Sequence, residues 1–154
     1  MSTKMKRIRE RLFEDGFSRT AEWLEKKGWT YECDYCVRDE MFPQGKYITI
    51  SKRQGQEKQL YSLLHECGHL LIQNNDEKYE RSYPTQARMN QFQAHRGIEK
   101  SKDYKVDVVR EEIEAWDRGK KLANRLGIFV DEKNFRKVSS QCIYTYIEWA
   151  TGNE

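Results

Sequence analysis

The apolar residues Met5, Ile8 and Leu12 recur at helical spacing, and after the polar break Glu14-Asp15-Gly16 the residues Phe17, Ala21 and Leu24 repeat the pattern up to Gly28. One broken helix or two short ones are predicted. The runs "WTYECDYCV" and "KYITIS" are rich in Tyr, Thr, Val and Ile and flank "FPQG", which predicts two antiparallel strands joined by a turn. A helix follows from about Lys58 to Gln73, apolar on nearly all sides and closed by Asn74 and Asn75. Residues 74–105 are polar, contain Pro84 and Gly97 and sustain no period; so long a connection in a small domain is expected to be irregular and to serve as a lid. Two more helices are expected. One runs from about Val106 to Leu126, ahead of Gly127; the other runs from about Asn134 to Ala150, with Phe135, Val138, Cys142, Tyr146 and Trp149 along one side. Trp116, Tyr144, Tyr146 and Trp149 are expected in the core. Together these elements make a mostly helical α+β domain whose small antiparallel sheet packs on the helix of residues 58–73.

At 154 residues, 37% of them apolar, the chain supports one domain with a real core and is short for two. Its 28 Lys and Arg against 25 Asp and Glu leave a net charge of +3, far from the imbalance of a dedicated nucleic-acid binder. No run approaches the roughly 20 apolar residues of a membrane span, and the basic start lacks the apolar core of a signal peptide. A cytoplasmic protein with no membrane partner is expected. Cys33 and Cys36 form a C-x-x-C, but no second pair completes a structural zinc site, so they are expected in an ordinary strand or turn. Cys67 reads as a small buried apolar residue and Cys142 as part of the last helix.

Within the apolar helix the stretch "LYSLLHECGHLLIQNN" carries His65, Glu66 and His69, which spell H-E-x-x-H. Residues four apart on a helix lie one above the other, so both imidazoles can face one metal ion. Glu66, about 100° further round, can reach a water on that metal and act as a base. Buried without a partner, these three side chains would cost several kcal/mol, of the order that makes a metal the simpler account. Gly68 leaves room beside His69 for another element to come close. A catalytic zinc needs a third protein ligand. The metzincin pattern is excluded, because Asn75 and Ile72 stand where it needs histidine and glycine. His95 in "QFQAHRG" is one candidate for the ligand. The stronger one is Glu112, in the middle of the apolar stripe Val108, Ala115, Gly119, Leu122, Ala123 and Leu126. Glu111 lies on the edge of that stripe, and Glu114 faces outward with Arg118 and Lys121. The alternative for Glu112 is a buried ion pair with Arg110 or Arg88.

"HECGH" followed by Glu-x-x-Ala, here Glu112 to Ala115, resembles the gluzincin arrangement and most closely the small ImmA/IrrE-like metallopeptidases, over about residues 46–123. The resemblance implies a zincin-like fold, a Zn2+ held by His65, His69 and Glu112, and Glu66 as the catalytic base of an endopeptidase acting on an intracellular protein or peptide. His95, Tyr104, Tyr79 and Arg110 are the candidate oxyanion or substrate contacts. Trp116 to Gly119 depart from the family's usual sequence after Glu-x-x-Ala, and the 43 positions from His69 to Glu112 exceed its usual spacing. This chain therefore resembles a divergent, phage-borne branch that would act in the host cytoplasm. The alternatives are a zinc-containing regulatory module without hydrolysis, and a nucleic-acid-associated module using the basic amino end. Retention of Glu66 favours hydrolysis, because a structural zinc site needs no base.

Overall fold

The structure, a computed structural model, describes residues 1–92 and 97–152. Helix α1 spans Thr3–Lys26, opened by Ser2, whose hydroxyl accepts the Met5 N–H at 3.2 Å. It does not break at Glu14-Asp15-Gly16. A Cβ on Gly16 would lie 2.8 Å from Ile128 Cγ2 and 3.0 Å from Leu60 Cδ2, so this glycine serves close packing and is no helix terminator.

Three short strands follow: β1 (Thr30–Asp34), β2 (Glu40–Phe42) and β3 (Tyr47–Ser51). Their order is β1-β3-β2, with β1 parallel and β2 antiparallel to β3. The expected two-stranded antiparallel sheet is thus corrected to a mixed one. The reason is local: the Asp34 carboxylate accepts the Cys36 N–H at 2.9 Å, turning the chain where the apolar run continues. The C-x-x-C lies in that strand end and turn, and all four cysteines are free thiols. "FPQG" joins β2, not β1, to β3.

Helix α2 (Gln56–Gln73) runs through the centre. Its Leu60, Leu63, Leu64 and Cys67 pack with Ile48 and Ile50 of β3, Phe13 and Leu24 of α1, and Leu122 and Ala123 beyond. Fully burying each leucine contributes roughly 1.5–3 kcal/mol. Residues 76–92 are not irregular: α3 (Asp76–Ser82) and α4 (Pro84–Phe92) are helices, and a single 3-10 turn covers Ile98–Lys100. Tyr79, Tyr83 and Ala87 join Ile72 and Ala115 in a second small core, which corrects the expected irregular connection. The polar composition hid these helices because each is short and buries only a narrow side.

Helix α5 (Lys102–Arg125) packs along α2, and α6 (Glu132–Thr151) lies on α5. Only Phe135 of α6 is buried. Trp116 is in the core, as expected, but Tyr144 and Trp149 are 61% and 43% exposed. No helix among the described residues is long and apolar enough to cross a membrane.

Candidate metal centre

Helices α2 and α5 meet backbone to backbone. A Cβ on Gly68 would lie 2.0 Å from the Ala115 carbonyl oxygen, and one on Gly119 would lie 2.5 Å from that of Leu64. Glycine at both crossings brings the helices close enough for short side chains of α5 to reach those of α2.

At this crossing three residues converge. His65 Nε2 lies 2.7 Å from Glu112 Oε1, His69 Nε2 lies 3.1 Å from Glu112 Oε2, and the two Nε2 atoms are 3.2 Å apart. One donor atom from each of the three lies within 4.8 Å of the others, close enough to hold one metal ion. Among the described residues no arginine pairs with Glu112: Arg110 turns to Asp107, at 3.5 Å, and to the Ser82 carbonyl. The His65 ring stacks on Trp116, 4.1 Å between centroids and 8° between planes. His69 Nδ1 is 2.5 Å from Glu111 Oε2, an interaction that helical periodicity did not single out, since it put Glu111 only at the edge of the stripe. Glu66 Oε1 is 3.6 Å from His65 Nδ1, and the Cys142 thiol reaches Glu112 Oε1 at 3.8 Å.

The electrostatics are those of a largely buried, acid-rich site. Burial pushes the Glu66 carboxyl above its ordinary value, against the pull of the two imidazoles. Burial acts the same way on Glu112, but hydrogen bonds from His65 and His69 outweigh it and hold that carboxyl at about 2. Burial would lower the His69 imidazole; its bonds to Glu111 and Glu112 reverse this and raise it well above the ordinary value.

These residues fit a divalent metal on their donor chemistry. With the Nδ1–H of His69 given to Glu111, a neutral His69 presents a lone pair at Nε2. That lone pair faces a carboxylate oxygen and a second imidazole nitrogen, an arrangement that a cation between them satisfies.

The site opens into a cleft of about 450 Å³. Arg38, Met41, Gln86 and Val108 form part of its walls, and Tyr104 and Tyr146 both line it. Tyr146 was expected in the core; the α6 periodicity placed it on the inner side without showing that this side ends at a cleft. Of the other candidate contacts, Tyr79 is buried in the second core, Arg110 bonds Ser82, and His95 lies outside the described residues. Strand β3 is central and paired on both sides. The strand bordering the cleft is β2, through Glu40 and Met41.

Comparison with family models, with curated proteins and with solved structures finds no match for this chain.

Proposed function

We propose that the chain is a zinc-dependent endopeptidase of the gluzincin kind. The observation that carries this reading is the convergence of His65, His69 and Glu112, with Glu66 beside them at the floor of an open cleft. His65, His69 and Glu112 are the residues that would hold the metal. When bound, zinc supplies a Lewis acid that polarises a peptide carbonyl and acidifies water.

The rest of the chemistry belongs to side chains of this protein. Glu66, one residue from His65 and directed into the same cleft, takes a proton from the attacking water at its carboxylate and passes it to the leaving amine nitrogen. Its burial supports that task, because a carboxyl raised above its ordinary value holds a proton readily enough to return it. Tyr104 and Tyr146, which line the cleft, would supply hydroxyls to meet charge developing on the carbonyl oxygen. An extended peptide would lie against the β2 side of the cleft, where an edge strand is free to pair.

The test starts with metal content. The purified protein should carry one zinc per chain, the Glu112→Ala variant should bind it far more weakly, and Glu66→Gln should retain it. Peptides from a proteome digest incubated with the zinc-loaded protein should then gain new termini, lost by about 10²–10⁴-fold in rate in Glu66→Gln. Failure to bind zinc after reconstitution would sink the assignment. Zinc binding without any cleavage, equal in the wild type and in Glu66→Gln, would instead leave a regulatory metal module.

A further inference from the structure

We propose that Glu111 is a positioning residue of the metal centre, whose carboxylate holds the Nδ1–H of His69 and so delivers the Nε2 lone pair toward His65 and Glu112. This inference rests on the metal reading and assigns a role to a residue that the motif does not contain.

Glu111 is 2% exposed. Its Oε2 lies 2.5 Å from His69 Nδ1, and its two carboxylate oxygens accept from Gln73 Nε2 at 3.1 Å and 3.4 Å. His69 and Gln73 stand one turn apart on α2, so the carboxylate of α5 is clamped by two donors of the facing helix. Among the described residues no lysine or arginine forms an ion pair with Glu111. Its neighbour one turn away differs: Glu114 is half-exposed and pairs with Arg118 at 2.8 Å.

A buried carboxylate with no lysine or arginine partner among the described residues is a costly way to fill space, and an apolar residue of similar volume would serve packing at lower cost. What the carboxylate does that an apolar side chain cannot is choose a tautomer. By accepting from Nδ1 it keeps a proton there, so that Nε2 is the nitrogen left to offer a lone pair to a metal. Glu111 and Glu112, adjacent on α5 and about 100° apart around it, thus meet opposite nitrogens of one imidazole, Nδ1 at 2.5 Å and Nε2 at 3.1 Å. His65 is oriented by a different device from the same helix, the face of Trp116. Helix α5 therefore supplies a ligand and sets the orientation of both histidines.

The experiment measures zinc affinity by competition with a chelator of known affinity, in the wild type, Glu111→Gln and Glu111→Ala. Each protein is first checked for its fold without metal, and the visible spectrum of the cobalt-substituted protein is recorded beside it. Glu111→Gln keeps shape and an accepting oxygen but loses the charge; its zinc affinity should fall about 10- to 100-fold, with an altered cobalt spectrum. Glu111→Ala should lose at least as much, together with the slowly exchanging Nδ1 proton of His69 seen by NMR in the zinc-loaded wild type. A merely structural role predicts variants that unfold more easily yet bind zinc as the wild type does once folded, with an unchanged cobalt spectrum, and that result would overturn the inference while leaving the metal reading intact. A wild type that binds no zinc would overturn both.

Discussion

Gly68→Ala sets two effects of known sign against each other. In an exposed helix the change would stabilise by about 1 kcal/mol, the propensity difference between the two residues. Here the added Cβ would stand 2.0 Å from the Ala115 carbonyl oxygen, 2.8 Å from its carbon and 3.0 Å from Cα. All three are backbone atoms, so no side chain can rotate away, and the added Cβ and the carbonyl oxygen must move apart by about 1.4 Å, from 2.0 Å to 3.4 Å, to restore an ordinary contact. Overpacking of this kind costs about 1–3 kcal/mol, and a backbone contact belongs at the upper end. Net destabilisation should be about 2 kcal/mol, or roughly 4–8 °C in Tm for a chain of this size. Urea unfolding in the presence of a chelator measures it without a metal contribution. Zinc affinity should fall as well, since His69 and Glu112 ride on the two helices being pushed apart. A variant as stable as the wild type, or more stable by the propensity difference, would refute the close crossing on which the site depends.

Asp131 caps α6 by accepting the Asn134 N–H at 3.0 Å and pairs with Arg9 at 2.8 Å, so Asp131→Ala should cost about 1 kcal/mol. Those two bonds hold its carboxyl below the ordinary value. The contribution is therefore present above the unfolded carboxylate pKa of about 3.9 and lost as pH falls through the lower folded value; the stability difference between wild type and variant, measured from pH 7 down to pH 2, should shrink only at the acid end. Asp107 accepts the Thr85 and Gln86 N–H groups at 2.9 Å and 3.3 Å and so ties α4 to α5. Asp107→Ala should cost about 1–3 kcal/mol and accelerate hydrogen exchange at those two amides; unchanged exchange there would show that α4 is held by its apolar side alone.

What could be read from residue order was whatever depends on near neighbours. His65, Glu66 and His69 need only a helix to share a side of it, and the apolar run around them supplies that helix. Glu112 was legible for the same reason, as a carboxylate in the middle of an apolar stripe, and Gly68 as a place for close approach. The carboxyl ends of α2, α5 and α6 were legible to within a residue, whereas their amino ends begin earlier than the apolar spacing does, at Gln56, Lys102 and Glu132.

Tertiary structure decided everything that joins distant residues. The partner of His69 Nδ1 is 42 positions away, and no periodicity distinguishes Glu111, at the stripe's edge, from a solvated charge. Strand direction escaped because β1 and β3 pair across the turn at Asp34 and the insertion of β2, while local composition is the same for parallel and antiparallel neighbours. Tyr146 shares its side of α6 with core residues, and only the position of α6 over α5 opens that side into the cleft. Chain order could therefore name His65, His69 and Glu112, the residues close enough to hold a metal, because each is marked by its place on its own helix. It could not name the groups that orient them, because those meet only when α5 crosses α2 at Gly68 and Gly119.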